Sequence, residues 1–513
     1  MRVHLMSPDD DFDPTREPPR YAEDLVQDLQ LNPLLDAMAA GDEFVREMCL
    51  AAILAGCTSP AQVEYRHQVL ADCAANREVA TELYRMATGI LEDRRRIHRT
   101  GLFFGTESRL RMSIGVLEAC LPHFARLRDL AETAAPGFTS PAFRTFFATL
   151  REELGYDYLA RVEQAIKELR FNRGMLLSAG LGEGNTGVDF VLREPDDTKR
   201  TFFHRIPLDH PTYSFVIPER DEASFNALSA LRDDALGDAS AAATESVSHV
   251  IDFFTVLRRE LGFHLGCLNL ADALRGLGQQ VCVPTLGDPG STGHTARGLY
   301  DASLALDNRT TAVPSDLDTR DAPVVLVTGA NRGGKSTFLR AVGIAALLAR
   351  CGCYAPAEDY VVPLHPSIVT HFRREEDAEL ASGKFDEELT RMAVLLEDLH
   401  PGSLLLSNES FSSTNEREGS QIAADVLRGL ADSGVRIVMV THMFELAERL
   451  RTAGAGVTYL QAERLEDGER TFRILPGSPE ATSHAMDLYR RIFEQREAEP
   501  EPTPDATAEP VRG

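Results

Sequence analysis

The 513-residue chain carries 79 acidic against 53 basic residues, a formal net charge of −26, and 43% of it is apolar. That length and apolar share allow about two to four domains with buried cores, while the charge excludes attraction of nucleic acid by the bulk field, so any such contact needs a local basic patch. No apolar run reaches the ~18 residues that span a bilayer, the N-terminus has no apolar signal core, and the cysteines are scattered as reduced, buried thiols would be, so a cytoplasmic location without a membrane is expected.

Residues 1–20 are rich in Pro and Asp and are expected to be disordered. From 21 to 283 the pattern is mainly helical. Ser59-Pro60 and Ser140-Pro141 each pair an N-cap residue with a proline at the first helical position. After the second pair, Phe143, Phe146, Phe147 and Leu150 recur at three- and four-residue spacing, the stripe of an amphipathic helix. Seven arginines (85, 94, 95, 96, 99, 109 and 111) face three acids, Glu92, Asp93 and Glu107, between Arg85 and Arg111. That excess is either a nucleic-acid contact or a solvated helix face. A small β patch is expected near 188–217, with strands at 188–192, 201–206 and 212–217 between turn-forming residues. Val247, Val250, Ile251, Phe254, Leu257, Leu261, Leu265 and Leu268 then keep helical phase, which predicts one long helix with a buried stripe.

From 284 to 495 strands alternate with helices. Val324–Thr328, Ser367–Thr370, Ser403–Ser407 and Val435–Val440 are short apolar runs of the kind buried in a parallel sheet. A hairpin, Val457–Gln461 and Thr471–Leu475 about Asp467-Gly468, is expected to end this region. The tail 496–513 alternates Glu and Pro and is expected to be disordered. Cys351-Gly-Cys353 could be a metal or redox pair, but no second Cys/His pair stands at zinc spacing, which favours core thiols.

Gly329, Ala330, Asn331, Arg332, Gly333, Gly334, Lys335, Ser336 and Thr337 follow one apolar strand and precede a helix. Gly-x4-Gly-Lys-Ser in that setting is a Walker A loop, whose backbone N–H groups and helix dipole cradle phosphate. Lys335 is expected to contact the β- and γ-phosphates of ATP, and Ser336 to bind Mg2+. Leu404-Leu-Leu-Ser-Asn408-Glu409 is an apolar strand ending at an acidic position, as Walker B strands do. Asn408 could reach the metal through a water without adding charge, and Glu409 is the candidate general base; the plainer alternative is a capped strand end. His442 follows the strand 435–440, at the ligand-binding edge of an open α/β sheet, where it could bond the γ-phosphate or serve structure alone.

Together these residues resemble the ATPase domain of the MutS family, whose loop reads Gly-Pro-Asn-Met-Gly-Gly-Lys-Ser-Thr. Gly352-Cys-Tyr-Ala-Pro356-Ala357, Ser412-Ser413-Thr414 with Glu418-Gly419, and Thr441-His442-Met-Phe444-Glu445-Leu446 are similar to further family segments, in order, from about 295 to 480. Upstream, Gln62-Val-Glu64-Tyr-Arg66-His-Gln-Val69-Leu70 and the long helix are more loosely similar to the family's helical core and lever. The resemblance implies an α/β P-loop NTPase domain with a mostly parallel sheet, preceded by a helical core and lever domain with a small β insertion. It also implies a homodimer that binds mismatched, branched or otherwise non-canonical DNA and has composite ATP sites, each enclosed by the partner's Ser382–Glu388 segment.

Two positions depart from the family: Asn408 replaces an aspartate, and Gly383 replaces a serine. Both bear on hydrolysis more than on ATP binding. No mismatch-reading domain is expected before residue 21 and no nuclease-like module after the ATPase domain, so direct mismatch reading is not expected. The alternative is a nucleotide-dependent interaction protein with slow or no hydrolysis, acting on a protein or ribonucleoprotein. An ABC- or SMC-type motor is disfavoured because no Leu-Ser-Gly-Gly-Gln signature is present.

Overall fold

The computed structural model describes residues 2–100, 105–172, 174–193, 214–287, 293–319, 322–374, 383–452, 456–465 and 470–479. The chain divides into two compact units, residues 1–12 with 71–262 and residues 13–70 with 263–513. The helix Lys335–Cys351 is apolar almost all round, with Leu339, Val342, Ile344, Ala345 and Leu347 all buried, so the sheet alone cannot cover it. Helices from before residue 70 supply the second cover. Gly343 leaves room for Leu29, whose methyl carbons would stand within 3.0 Å of an added Cβ. Arg66 donates to the Cys351 carbonyl at 2.9 Å, and Cys57 N–H to the Arg350 carbonyl at 2.8 Å.

The second unit holds a six-stranded sheet. Its strands are Val324–Thr328, Ile368–Phe372, Leu404–Asn408, Arg436–Val440, Val457–Arg464 and Arg470–Pro476. Arg436–Val440 lies between Val324–Thr328 and Leu404–Asn408, with Ile368–Phe372 beyond the latter, and all these pairs are parallel. Val457–Arg464 adds in parallel beside Val324–Thr328, and Arg470–Pro476 closes that edge antiparallel. The expected strands therefore stand within a few residues of where apolar runs placed them; the turn Asp467-Gly468 lies outside the described residues. A mixed four-stranded sheet, Thr285–Leu286, Asp359–Val362, Thr295–Leu299 and Ser315–Asp318 in that order, belongs to the same unit. Leu405, Met439, Leu427 and Leu446 anchor a core between the larger sheet and the helices Glu416–Asp432 and Phe444–Thr452.

The first unit is helical. Ser140 caps Pro141–Glu153 by accepting the Phe143 N–H at 3.3 Å, and all four residues of the expected stripe are buried. The three phenylalanine rings cluster with Phe138, and Phe146 stacks on Phe253 of the long helix Gly237–Gly276. Two expectations change here. The β patch is a hairpin of Leu176–Leu181 with Gly187–Arg193; of the other two expected strands, 201–206 and 212–213 lie outside the described residues, and Ser214–Ile217 form no strand. Residues 2–12, expected to be disordered, are placed by burial: Val3, Leu5 and Met6 are buried, and the Glu260 carboxylate accepts Leu5 N–H at 2.5 Å and Phe12 N–H at 2.9 Å. The tail 496–513 lies outside the described residues. Among the described residues no helix is long and apolar enough to cross a membrane.

Candidate functional site

The strand Val324–Thr328 runs into the glycine loop and then into Lys335–Cys351. Gly329 (φ +110°) and Gly334 (φ +94°) adopt the left-handed backbone that turns the loop around its own N–H groups. Arg332 does the same at φ +60°, a conformation that side chains resist. The loop borders a cleft of about 560 Å3, lined by residues 331–337, Glu409, Leu304, Thr311, Ala312, Val313 and Phe472. Gly329 and Ala330 contribute differently. Their carbonyls accept from Lys335 Nζ at 3.0 and 3.1 Å.

Lys335 is buried, and desolvation pushes its pKa down while the nearby Glu409 opposes the shift. Its ammonium therefore rests on backbone carbonyls, with Glu409 as a nearby carboxylate. Ser336 Oγ donates to Asn408 Oδ1 at 2.9 Å, which joins the loop to the end of Leu404–Asn408. A hydroxyl and an amide oxygen are hard oxygen donors of the type Mg2+ takes, so the Ser336–Asn408 pair fits that ion.

Glu409 sits one residue past its strand at φ +58°, and Phe411 follows at φ +64°. Each left-handed side-chain residue costs about 1 kcal/mol or more, so the surroundings must hold this turn. Glu409 N–H donates to the Val440 carbonyl at 2.9 Å, and its own carbonyl accepts from Ser412 Oγ at 2.6 Å. Gly419 allows the start of Glu416–Asp432 to approach, since a Cβ there would stand 2.3 Å from the Phe411 carbonyl. The Glu409 carboxylate accepts a hydrogen bond from His442 Nδ1, and this bond raises the His442 pKa. His442 is not among the residues lining the cleft; it meets the cleft through Glu409. This is the geometry of a base held by an orienting group.

Several site features carry no local sequence signal. The wall formed by Thr311–Val313 and Phe472 comes from a loop and an edge strand remote from the glycine motif. Beneath Glu409, His371, Ser407, Ser410 and Phe411 are fully or nearly fully buried around one another. Glu388, read by resemblance as part of a segment facing a partner's nucleotide, is turned inward instead: its carboxylate accepts the Phe411 N–H at 2.5 Å. Gly383 is exposed, whereas 381 and 382 lie outside the described residues. Cys351 and Cys353 are buried free thiols, and among the described residues no group of three or more His, Cys, Asp or Glu is arranged to hold a metal. All seven arginines between 85 and 111 are exposed. Arg96 pairs with Asp93 and Arg111 with Glu107, while no carboxylate among the described residues pairs with Arg94, Arg95 or Arg99.

Comparison with known proteins covers both units. Residues 58–277 match the family model of the MutS2 N-terminal domain, and 325–475 match that of MutS domain V. The chain is 35% identical over 191 residues to the DNA mismatch repair protein MutS of Thermus aquaticus, covering 36% of this chain and 22% of that one. It is 30% identical over 200 residues to Endonuclease MutS2 of Thermomicrobium roseum, covering 38% of this chain and 25% of that one. The matched stretch is thus a quarter or less of these relatives' length.

Proposed function

The chain belongs to the MutS family, and on that footing we propose that it is a Mg2+-dependent ATPase that binds DNA as a homodimer. The DNA would be mismatched, branched or otherwise non-canonical, and the role DNA mismatch repair or related DNA maintenance. The observation that carries the enzymatic part is the convergence of Lys335, the Ser336–Asn408 pair and Glu409 on one cleft. Loop N–H groups and Lys335 hold the β- and γ-phosphates of ATP, with the nucleoside toward the wall of Val313 and Phe472. Ser336 directly, and Asn408 through a water, would hold Mg2+, which neutralises charge on the phosphate oxygens. Glu409 accepts a proton from the attacking water, and His442 Nδ1–H keeps its carboxylate aimed.

The exposed arginines at 94, 95, 96 and 99 supply the basic patch that a chain of net charge −26 needs to meet DNA. Purified protein is expected to hydrolyse ATP. Lys335→Ala should lose ATP binding, and Glu409→Gln should keep binding while losing turnover. Unchanged binding in the first variant, or equal turnover in the second, overturns the assignment. Neutralising Arg94, Arg95, Arg96 and Arg99 together should weaken DNA binding and flatten its salt dependence.

Asn408 and the bulk acidity support a second reading, a nucleotide-dependent interaction protein with slow or no hydrolysis. Salt-independent association with DNA, or none, would favour it.

A further inference from the structure

We propose that Glu388 is a positioning residue for Glu409, holding the turn that aims the general base and tying that aim to the helix Lys384–Leu396. The inference rests on Glu409 as the base. It starts from the turn Glu409-Ser410-Phe411, in which both flanking residues are left-handed, at φ +58° and +64°. Neither is a glycine, so the conformation persists only through contacts that outweigh its intrinsic preference.

Those contacts converge from two elements. The Glu388 carboxylate accepts Phe411 N–H at 2.5 Å, a buried charge-assisted bond. The backbone carbonyl of the same residue accepts from His371 Nε2 at 3.2 Å. A carbonyl only accepts, so Nε2 carries the proton. Burial holds the His371 pKa down at about 4, so near neutral pH Nδ1 is an acceptor. Ser410 Oγ, with one proton, donates to that nitrogen at 2.6 Å, with the His371 carbonyl at 2.8 Å as its alternative acceptor, and Ser407 donates to Ser410 at 2.6 Å. The His371 and Phe411 rings stack with centroids 5.9 Å apart.

Glu388 thus grips the turn twice, directly at Phe411 and through His371 at Ser410. One side of the helix Lys384–Leu396 is thereby fixed to the residue after the base. Arg391, one turn on, donates to the Phe372 carbonyl at 3.1 Å and fixes the helix to the strand that carries His371. A shift of this helix moves the Phe411 N–H, and with it the Glu409 carboxylate relative to His442. Nucleotide affinity, set by Lys335 and the loop, is left in place.

The test uses the full chain and reads the Glu409–His442 contact without requiring turnover. In histidine-detected NMR titration, the His442 signal is identified by its loss in His442→Gln. Glu409→Gln should bring the His442 pKa down toward the ordinary imidazole value. Glu388→Met, which keeps the bulk but removes the acceptor, should bring it down as well, whereas Glu388→Gln should hold it near wild type. Turnover should follow, falling by about tenfold in Glu388→Met with ATP affinity unchanged.

A wild-type His442 titration in Glu388→Met, alongside a shifted one in Glu409→Gln, overturns the proposal. So does equal loss of ATP affinity and turnover, the mark of general damage. If Glu388→Met does not fold, Glu388→Asp, one methylene short of Phe411, is judged by the same titration. Absence of turnover in wild type, with the titration responses intact, would sink the hydrolysis reading while supporting the positioning role.

Discussion

Ser336 and Asn408 are joined by a 2.9 Å hydrogen bond in which the serine hydroxyl donates to the amide oxygen. The bond places a neutral side chain where a carboxylate would add a negative charge beside the proposed metal position. Asn408→Asp supplies that charge at nearly constant volume. The variant is expected to need less Mg2+ for half-maximal turnover and to turn over about tenfold faster. Chelating the metal should weaken ATP binding more in Asn408→Asp than in wild type, because the unscreened carboxylate then repels phosphate. Equal Mg2+ dependence of the two proteins would place the metal elsewhere.

Lys335 provides a separate check through linkage. Its ammonium rests on the Gly329 and Ala330 carbonyls within a desolvated loop. ATP at about a hundred times its Kd should stabilise wild type by about 2.7 kcal/mol. Lys335→Met should lose that gain while retaining the same fold by circular dichroism. A nucleotide-dependent rise in melting temperature that survives in Lys335→Met would mean that other groups bind the phosphates.

How much of this was legible follows from where each signal sits along the chain. The glycine loop and Lys335 are contiguous, and the strand before them is apolar because both of its faces are buried. Glu409 could be located because it directly follows a similar strand, and the stripe of Phe143, Phe146, Phe147 and Leu150 because helical periodicity repeats it. The direction of Glu388 was not legible, since its partner Phe411 lies 23 residues away on a turn whose backbone angles no local pattern specifies. Residues 2–12 were misread for a similar reason: the Glu260 carboxylate that receives the Leu5 N–H lies 255 residues further on. Which segments cover the all-apolar helix Lys335–Cys351 was not legible either, since Leu29 and Arg66, which pack on it, lie far back along the chain.

Stability should fall on mild acidification, through buried histidines. His365 and His371 are each held down at about 4 by burial, and His294 lies well below its ordinary value. His365 Nδ1–H donates to the Gly402 carbonyl at 2.7 Å, so its Nε2 accepts from His294 Nε2–H at 2.7 Å. Tyr360 OH then donates to His294 Nδ1 at 3.4 Å, giving a chain of neutral rings. For a depressed histidine the unfolded state binds the proton first, so stability is full above pH 6.5 and is lost as pH falls toward 4, by about 3 kcal/mol for each of His365 and His371. His442 works in the opposite sense, its raised pKa contributing stability below pH 6.5 that is lost as pH rises through the folded value. The raised carboxyls of Glu388 and Asp28 also favour the folded state on acidification. The histidines outweigh these because their burial is deeper. Urea midpoints at pH 7.5 and pH 5 should show the fall, and His371→Gln should flatten it even though it lowers stability at pH 7.5.

Gly383 offers the last test, because backbone and space both permit a side chain there. It is the N-cap of Lys384–Leu396 at φ −66°, ψ 145°, an extended conformation that serine adopts readily, and it makes no side-chain capping bond. Among the described residues no atom stands within 4 Å of an added Cβ. Its carbonyl already accepts from the Asp386 and Glu387 N–H groups at 3.0 and 3.2 Å, so the first helical turn is formed. Gly383→Ser adds a hydroxyl that can accept from a further first-turn N–H, and the gain over glycine is a few tenths of a kcal/mol. Thermal unfolding should therefore shift upward by a small amount. If the exposed N-terminus of this helix also completes a second subunit's site, the same hydroxyl should raise turnover in the dimer, and the rise should vanish on dilution to monomers. A stabilised variant with unchanged turnover at every concentration would confine Gly383 to helix capping and remove this helix end from the composite site.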